Sequence, residues 1–244
     1  MNEIRKRADV LLVERGEFQS RARAQAAIEA GLVRINGEIL RKASTLIETD
    51  ARIEAEAPHP WVSRGGVKLA AALDAFKLDP SGLVCLDVGA STGGFTDVLL
   101  SRGARLVYAV DVGRDQIDPR LRADPRVVVH ESLDARKIVR EMFEAPPQAI
   151  VCDVSFISLR HVLPHVLPLA ADGAWLAALI KPQFEAGRDK VKKGTVKDVA
   201  TQSEVCAAII ASVAALGWTS LGVVPSPIRG GDGAEEFLLG ARRG

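Results

Sequence analysis

Aromatic residues, cysteines and net charge are all scarce in this sequence. Only 5% of the 244 residues are aromatic, there are three cysteines, and the formal net charge is +1. Because positive and negative charges almost balance, net charge alone does not predict a nucleic-acid partner. Such a partner can be inferred only from local basic patches.

The cysteines and histidines do not form a recognisable metal-binding pattern. Cys85, Cys152 and Cys206 lie far apart, each within an apolar run. We expect them to be buried free thiols in a reducing compartment. His161 and His165 are four positions apart, but a proline interrupts their helix and no third ligand is nearby, so we expect no metal site.

Long hydrophobic segments are also missing. No apolar run approaches the roughly 20 residues of a membrane-spanning helix, and the N-terminal stretch MNEIRKRADV lacks the apolar region of a signal peptide. We therefore expect a cytoplasmic protein without a membrane partner. The 48% of hydrophobic residues is nevertheless enough for a sizeable core, and the length allows one ordinary domain plus a small one.

The first 57 residues predict a small α+β domain. RADVLLVERG is typical of a short helix ending at Gly16, and QSRARAQAAIEAG of a second helix with Ser20 as its N-cap and Gly31 at its end. LVRINGEIL predicts two strands joined by a turn at Asn36 and Gly37. Prolines in EAPHP mark a break, so we place the domains at 1–59 and 60–244.

Basic residues are concentrated in this first block. Residues 1–42 contain nine lysines and arginines against six acids. Arg21 and Arg23 begin the second predicted helix, where cations oppose the helix dipole, so the cluster indicates some other purpose. Charge alone leaves two interpretations open, an ordinary solvated face and a phosphate-binding surface.

Seven strand-like runs follow in the second block, separated by helical stretches. Most of the runs are continuously apolar, as in strands buried on both faces, and they lie within 82–90, 105–113, 126–130, 148–156, 173–182, 218–227 and 235–243. Helices are predicted at 94–102, 134–143, 158–170 and 200–216. The alternation predicts a doubly wound, Rossmann-like α/β sheet, mostly parallel, with the last two strands antiparallel.

The turn after the first of these strands predicts a nucleotide-like ligand, because glycines let the backbone approach the ligand at this edge of the sheet. It reads Gly89-Ala90-Ser91-Thr92-Gly93-Gly94, so Ser91 stands where the dinucleotide motif GxGxxG has its second glycine. Asp87 precedes the turn and suits a cation better than a phosphate. These features favour S-adenosylmethionine (SAM) over a nicotinamide dinucleotide.

Two further acids follow the next strands. Asp111 ends the second strand, where a carboxylate can accept both ribose hydroxyls, and Asp134 follows the third, where the adenine edge would lie. Four other polar residues are candidates for chemistry: Lys68, Asp153, Lys181 and Glu236. Desolvation can make a lysine a base. The alternative for Lys181 is a solvated strand-end lysine paired with Asp153.

The first block resembles the S-four-type RNA-binding module, in the stretch RADVLLVERGEFQSRARAQAAIEAGLVRINGEIL. That family presents basic residues of the second helix and the following turn to structured RNA. The resemblance therefore implies RNA contacts by Arg21, Arg23 and Arg34. We add as candidates Arg5, Arg7 and, near Lys68, Arg64.

The second block resembles the FtsJ-like ribose 2′-O-methyltransferases in LDVGASTGGFTD, VCDVSF, ALIKPQFEAGR, GAEEF and VSRGGVKL. With the RNA-binding module, the chain is similar to the TlyA family, often labelled haemolysin A. The resemblance implies a SAM-dependent enzyme that methylates a cytidine ribose in ribosomal RNA. The family's catalytic tetrad carries over to Lys68, Asp153, Lys181 and Glu236, and Phe95 occupies the position of a common aromatic residue after the glycines.

Two departures affect the last tetrad member. Relatives often have asparagine where this chain has Ala234, and Glu235 beside Glu236 makes the assignment ambiguous by one position. The cofactor candidates are thus Asp87, Gly89, Ser91, Gly93, Gly94, Phe95, Asp111, Asp134 and Asp153.

Three other functions remain alternatives. A nicotinamide-dependent oxidoreductase would need glycine at position 91, a membrane-active haemolysin would need a spanning or strongly amphipathic segment, and an RNA-binding protein with an inactive fold would lack a working tetrad. The basic segment 187–198 is either a surface loop or a substrate lid that contacts RNA phosphates.

Overall fold

The computed structural model describes residues 5–18, 20–57, 59–230 and 233–244, with only the backbone described at Arg188. The chain divides into two units, Met1–Pro60 and Trp61–Gly244. No helix among these residues is both long and apolar enough to cross a lipid bilayer.

The first unit contains two helices and five short strands. In chain order they are β1 Arg5–Arg7, α1 Ala8–Glu14, α2 Arg21–Glu29, β2 Val33–Ile35, β3 Glu38–Ile39, β4 Leu46–Glu48 and β5 Ile53–Ala55. β1 pairs antiparallel with β4, while β2 lies between β3 and β5 and pairs antiparallel with both. Apolar side chains of both helices and of β2 form the core of this unit.

The predicted local structure of this unit is confirmed. Ser20 caps α2 by accepting a hydrogen bond from the backbone N–H of Arg23, and Gly31 follows the helix with a φ of +73°. The Asn36–Gly37 turn joins β2 and β3. The sequence did not indicate β1, β4 and β5, because they are three residues long and are held by partners distant in the chain.

The second unit is built on a seven-stranded sheet. Its elements in chain order are α3 Gly65–Phe76, β6 Val84–Val88, α4 Gly94–Ser101, β7 Leu106–Val110, α5 Pro119–Arg122, β8 Val127–His130, β9 Ala149–Cys152, α6 Leu159–Val166, β10 Trp175–Ile180, α7 Pro182–Glu185, α8 Val199–Ala215, β11 Trp218–Pro225 and β12 Phe237–Arg243. The strands lie in the order β11-β12-β10-β9-β6-β7-β8.

Strand directions follow the prediction of a mostly parallel sheet. The five strands β6 to β10 all pair parallel with one another where they are adjacent. The last two strands, β11 and β12, pair antiparallel as predicted. β12 also pairs antiparallel with β10, so it lies between β10 and β11. This order brings the start of β12 to the carboxyl end of β10.

Both faces of the central strands are buried, which explains why their sequences are continuously apolar. Leu86 of β6 and Ile150 of β9 belong to the core on one face, whereas Cys85 and Val151 belong to the core on the other. Cys85 and Cys152 are buried free thiols, as expected, but Cys206 is only partly buried. Burial raises the pKa of the Cys85 thiol to about 12.

One helix prediction is wrong. Residues 134–143 form two separate 3-10 turns, Ala135–Lys137 and Arg140–Met142, instead of a helix. Ile138 and Val139 between them are extended. The Ile138 and Phe143 side chains are buried in the core. The helices predicted at 94–102, 158–170 and 200–216 are present as α4, α6 followed by a 3-10 turn, and α8.

Candidate active site

The glycine turn joins β6 to α4 at the carboxyl edge of the sheet. Gly89 has a φ of +84°, and a Cβ atom there would lie 2.5 Å from the carbonyl oxygen of Asp153 at the end of β9. Gly93 has a φ of +95° and precedes α4. A side chain at Gly89 is therefore excluded both by backbone conformation and by the close approach of the neighbouring strand.

Asp111 holds this turn against the end of β7. Its Oδ2 accepts a hydrogen bond of 2.7 Å from the backbone N–H of Ser91, which has a φ of +48°, and its Oδ1 accepts one of 2.6 Å from the backbone N–H of Gly113. Each carboxylate oxygen can accept more than one hydrogen bond, so these contacts leave capacity for a ligand hydroxyl. The ribose contact expected of Asp111 stays a prediction.

Asp87 is the most perturbed acid in the turn region. It is fully buried in β6, and Thr96 Oγ1 donates a 2.6 Å hydrogen bond to its Oδ2. Its Oδ1 has no hydrogen-bond partner in the part of the chain that the structure describes. Burial raises the pKa of Asp87 to about 7. A buried carboxyl oxygen without a hydrogen-bond partner is energetically costly, so this position is suited to a cationic or hydrogen-bond-donating ligand.

The remaining cofactor candidates differ in their surroundings. Gly94 and Phe95 begin α4 and are buried. Asp134 accepts the backbone N–H of Arg136 and forms a 2.6 Å ion pair with the same residue's guanidinium, which lowers the pKa of Asp134. Its adenine contact is not shown by these interactions and stays a prediction.

Asp153 and Lys181 meet at the carboxyl ends of the adjacent parallel strands β9 and β10. Lys181 Nζ lies 2.6 Å from Asp153 Oδ1, and both side chains are mostly buried. The same Nζ donates a 2.8 Å hydrogen bond to Ser155 Oγ. The ammonium group is thus held by two oxygens, both of which come from the segment after β9.

A second buried ion pair joins Lys68 of α3 to Glu236, which immediately precedes β12. In the antiparallel pairing of β10 and β12, Ile180 lies opposite Phe237. Lys181 and Glu236, one position beyond this register pair, therefore lie at the same end of these two strands. The sheet places all four tetrad candidates at its carboxyl edge, through β9, β10, β12 and the adjoining α3.

The two adjacent glutamates have different surroundings in the structure. Glu236 is 3% exposed and contacts Lys68. Glu235 is 50% exposed and instead contacts Arg229 at 3.2 Å and the amide of Gln202 at 3.1 Å. Of the two glutamates, Glu236 is the one that pairs with the candidate lysine.

Phe156 lies three residues after Asp153 and was not identified from the sequence. Its side chain is 90% exposed, its φ is +64°, and its ring centroid lies 5.1 Å from that of Phe184. A left-handed backbone conformation is unfavourable for a bulky residue. Because the ring is exposed, no burial of apolar surface compensates for this conformational cost. The motif VSF contains no signal for this conformation.

Glu185 is a second residue that the sequence did not reveal. Its carboxylate is buried and accepts hydrogen bonds from Ser158 Oγ and the backbone N–H of Leu159, at the start of α6. Glu185 ends α7, which directly follows Lys181. It therefore ties the segment that follows Asp153 to the segment that follows Lys181.

The arginines of the first unit form specific ion pairs. Arg7 lies 3.0 Å and Arg21 lies 2.8 Å from Asp9, which is fully buried and also accepts from Gln25. These cations lower the pKa of Asp9. Arg21 at the helix start therefore neutralises a buried carboxylate, and the RNA contact that the resemblance implies for it stays a prediction.

The other predicted RNA contacts are distributed over both units. Arg5 pairs with Glu48 at 3.0 Å, Arg34 donates to the carbonyl of Gly37, and Arg23 is partly exposed on α2. Arg64 belongs to the second unit, where it donates to the carbonyl of Arg229. The RNA contacts expected of these arginines stay predictions.

Comparison with known proteins identifies both units. Residues 61–243 match the FtsJ-like methyltransferase family, and residues 6–53 match the S4 domain, the module named S-four-type above. The predicted resemblances are thereby confirmed.

Relatives match along nearly the whole chain. YqxC of Bacillus subtilis, named a putative rRNA methyltransferase, is 45% identical over 242 residues, covering 98% of this chain and 86% of YqxC. The 16S/23S rRNA (cytidine-2′-O)-methyltransferase TlyA of Mycobacterium tuberculosis is 43% identical over 241 residues, covering 98% of this chain and 90% of TlyA. A solved structure titled a putative hemolysin, from Streptococcus thermophilus, is 40% identical with a TM-score of 0.79, covering 99% of this chain and 89% of that one. The chain therefore belongs to the FtsJ-like methyltransferases, in the TlyA group in which an S4 domain precedes the methyltransferase domain.

Proposed function

We propose that this methyltransferase transfers a methyl group from SAM to the 2′-hydroxyl of a cytidine ribose in ribosomal RNA. The observation that carries the proposal is the buried Lys181–Asp153 pair at the edge of the sheet that also carries the glycine turn. The relative TlyA, at 43% identity, is named for that reaction on 16S and 23S rRNA.

The turn region fits the proposed cofactor. The buried Asp87 oxygen that lacks a hydrogen-bond partner suits a positively charged group, and the glycines of the turn let the backbone approach a ligand closely. We propose that Asp87, Asp111 and the residues of the turn hold SAM, with Asp134 near its adenine. When bound, SAM supplies a methyl group already activated by its sulfonium centre.

The tetrad residues would assist removal of the proton from the ribose 2′-hydroxyl. We propose that the Lys181–Asp153 pair takes up this proton through Nζ as the 2′-oxygen gains the methyl group. Asp153 and Ser155 orient Nζ and stabilise the ammonium ion that results. Glu236 neutralises Lys68 and keeps it beside the site. We propose that this pair helps to orient the reacting groups and sets the local charge around them.

Phe156 is suited to hold the base of the target nucleotide. Enzymes that act on a nucleotide within folded RNA commonly expose it from its stack, and unstacked bases are held against aromatic rings. An exposed ring three residues from Asp153 provides such a surface.

We propose that residues 1–59 form the RNA-binding domain and residues 60–244 the catalytic domain. Arg5, Arg7, Arg21, Arg23 and Arg34 would contact rRNA phosphates from the first domain, and Arg64 would do so from the second. Since ribosomal RNA is the proposed substrate, the protein would act in the cytoplasm on ribosomal subunits.

Purified protein, tritium-methyl SAM and isolated ribosomal subunits test this function. We expect 2′-O-methylcytidine in the digested rRNA, detected by mass spectrometry. Lys181→Ala should bind SAM normally in calorimetry while transfer falls by at least about 10²-fold, since it removes the proton acceptor. Arg102→Ala, on the surface at the far end of α4, serves as the control and should leave transfer unchanged.

The outcomes separate the alternatives. Normal SAM binding with no transfer to any rRNA would favour an RNA-binding protein with an inactive fold. Leakage of liposomes by the pure protein would favour a haemolysin. Undiminished transfer by Lys181→Ala would remove Lys181 from the reaction.

A further inference from the structure

A cationic cavity lies between the segment 192–197 and the segment that leads into β12. Its volume is about 740 Å³, and its walls include Lys192, Lys193, Lys197, Arg229 and Glu235. The basic segment noted in the sequence thus forms one wall of a concave site.

The charges in this cavity are unbalanced. Lys192, Lys193 and Lys197 are exposed and form no ion pair with any residue that the structure describes. Arg229 pairs with Glu235. Nearby Asp198 is turned to the start of α8, where it accepts hydrogen bonds from Thr201. Three lysines therefore remain to attract an anion.

The two walls are joined by a buried side chain. Gln202 of α8 is 4% exposed, and its Nε2 donates to the carbonyl of Val196 at 2.8 Å and to Glu235 Oε2 at 3.1 Å. Lys192 and Thr195 exchange backbone hydrogen bonds across a turn in which Lys193 and Gly194 have positive φ. The lysines therefore lie on a hydrogen-bonded turn that buried Gln202 fixes to the rest of the domain.

This cavity adjoins the tetrad. Glu235 of its wall directly precedes Glu236, and a Cβ atom on Gly230 would lie 2.6 Å from Glu236 Oε1. The wall that carries Arg229 is also held by Arg64, whose guanidinium donates to the Arg229 carbonyl at 3.0 Å. A strand bound in the cavity would consequently pass next to the Lys68–Glu236 pair.

We propose that this cavity is a subsite for backbone phosphates of the RNA strand that adjoins the methylated nucleotide. The proposal rests on the proposed function for its choice of RNA as the ligand. Phosphodiesters each carry one negative charge, and lysines bind them as mobile point charges without reading sequence. Such a contact positions the strand, while Phe156 and the tetrad act on one nucleotide.

The test compares two doubly substituted full-length proteins. Lys193→Gln with Lys197→Gln removes two charges from the cavity. Lys77→Gln with Arg105→Gln removes two exposed charges near the opposite, amino-terminal edge of the sheet. Binding of a fluorescein-labelled, single-stranded 12-nucleotide RNA is measured by anisotropy over a series of salt concentrations.

We expect the cavity variant to bind the RNA about tenfold more weakly at low salt. Its plot of log affinity against log salt should become shallower by about 0.7 for each phosphate that the variant no longer neutralises. The control variant should stay within about twofold of the unsubstituted protein. SAM affinity should be equal in all three proteins.

Unchanged RNA affinity and salt dependence in the cavity variant would overturn the subsite. A second result would also overturn it: a 12-residue glutamate peptide that binds the unsubstituted protein as tightly as the RNA does and loses the same affinity in the cavity variant. The cavity would then be a surface for acidic protein segments. Failure of the proposed function would show differently. The unsubstituted protein would transfer no methyl group, while the RNA-binding difference between the variants would remain measurable.

Discussion

Lys68 and Glu236 form a buried ion pair although they lie 168 positions apart in the chain. The contact exists because β12 inserts between β10 and β11, which carries its first residues to the carboxyl edge of the sheet, beside α3. The neighbouring Glu235 is exposed and faces different partners. Two adjacent glutamates therefore have separate surroundings.

This difference predicts separate effects of two matched substitutions. Glu236→Gln leaves Lys68 buried without a counter-ion, so we expect transfer to fall by about 10²-fold through displacement of groups at the site. Glu235→Gln should reduce transfer by less than about threefold at saturating RNA. Steady-state methylation of ribosomal subunits measures both, and equal reductions would mean that the pairing with Lys68 has no catalytic importance.

Substitution of Phe156 should separate stability from activity. Phe156→Gly relieves a positive φ, so we expect the free energy of unfolding to rise by about 1 kcal/mol. The same change removes the proposed stacking surface, and kcat/KM for RNA should fall about tenfold, in line with the roughly 1–3 kcal/mol of one stacked base. Phe156→Tyr should keep the activity. Denaturant titration and methylation assays would contradict this view if the glycine variant were fully active.

Asp87 predicts a dependence of stability on pH in the absence of cofactor. Burial raises its pKa to about 7, whereas in the unfolded chain it titrates near 3.8. Between these values the folded state binds more protons than the unfolded state, so the contribution of Asp87 to stability falls as pH rises from about 4 to 7. Asp87→Asn should remove this slope. Thermal unfolding of both proteins at pH 5 and pH 7.5 measures the difference.

The same carboxyl predicts how SAM affinity changes with pH. If ionised Asp87 meets a cationic group of the cofactor, affinity should increase as pH rises through about 7. Asp87→Asn should bind weakly at both pH 6 and pH 8. Calorimetry that finds equal pH dependence in the two proteins would exclude Asp87 as the partner of that cation.

Asp9 should be important for the stability of the first unit. Its buried carboxylate is held by Arg7, Arg21 and Gln25, and we expect Asp9→Asn to lower the free energy of unfolding by about 2 kcal/mol. Glu48→Gln breaks the more exposed pair with Arg5 and should change it by less than about 1 kcal/mol. Chemical denaturation followed by circular dichroism compares the two, and similar decreases would refute a special contribution of Asp9.

Much of the architecture could be predicted because it depends on short stretches of chain. Apolar runs predicted the seven strands, and Ser20, Gly31 and the Asn36–Gly37 pair predicted where the local elements begin, end and turn. The positions of Lys181 and Asp153 at strand ends predicted that they would share an edge, and the structure shows them in contact. Periodicity, capping and turn preferences act over a few residues, so they can be read without the fold.

The sequence by itself determined that the chain contains an alternating α/β unit with a glycine turn, preceded by a small module with basic residues. Only the tertiary structure decided that Glu236, and not Glu235, meets Lys68, that Arg21 neutralises Asp9, that residues 134–143 pass in 3-10 turns, and that the lysines of 192–197 face Arg229 across a cavity. Each of these depends on which distant segments pack together. Burial and pairing over such distances are set by the whole core, and no local preference records them.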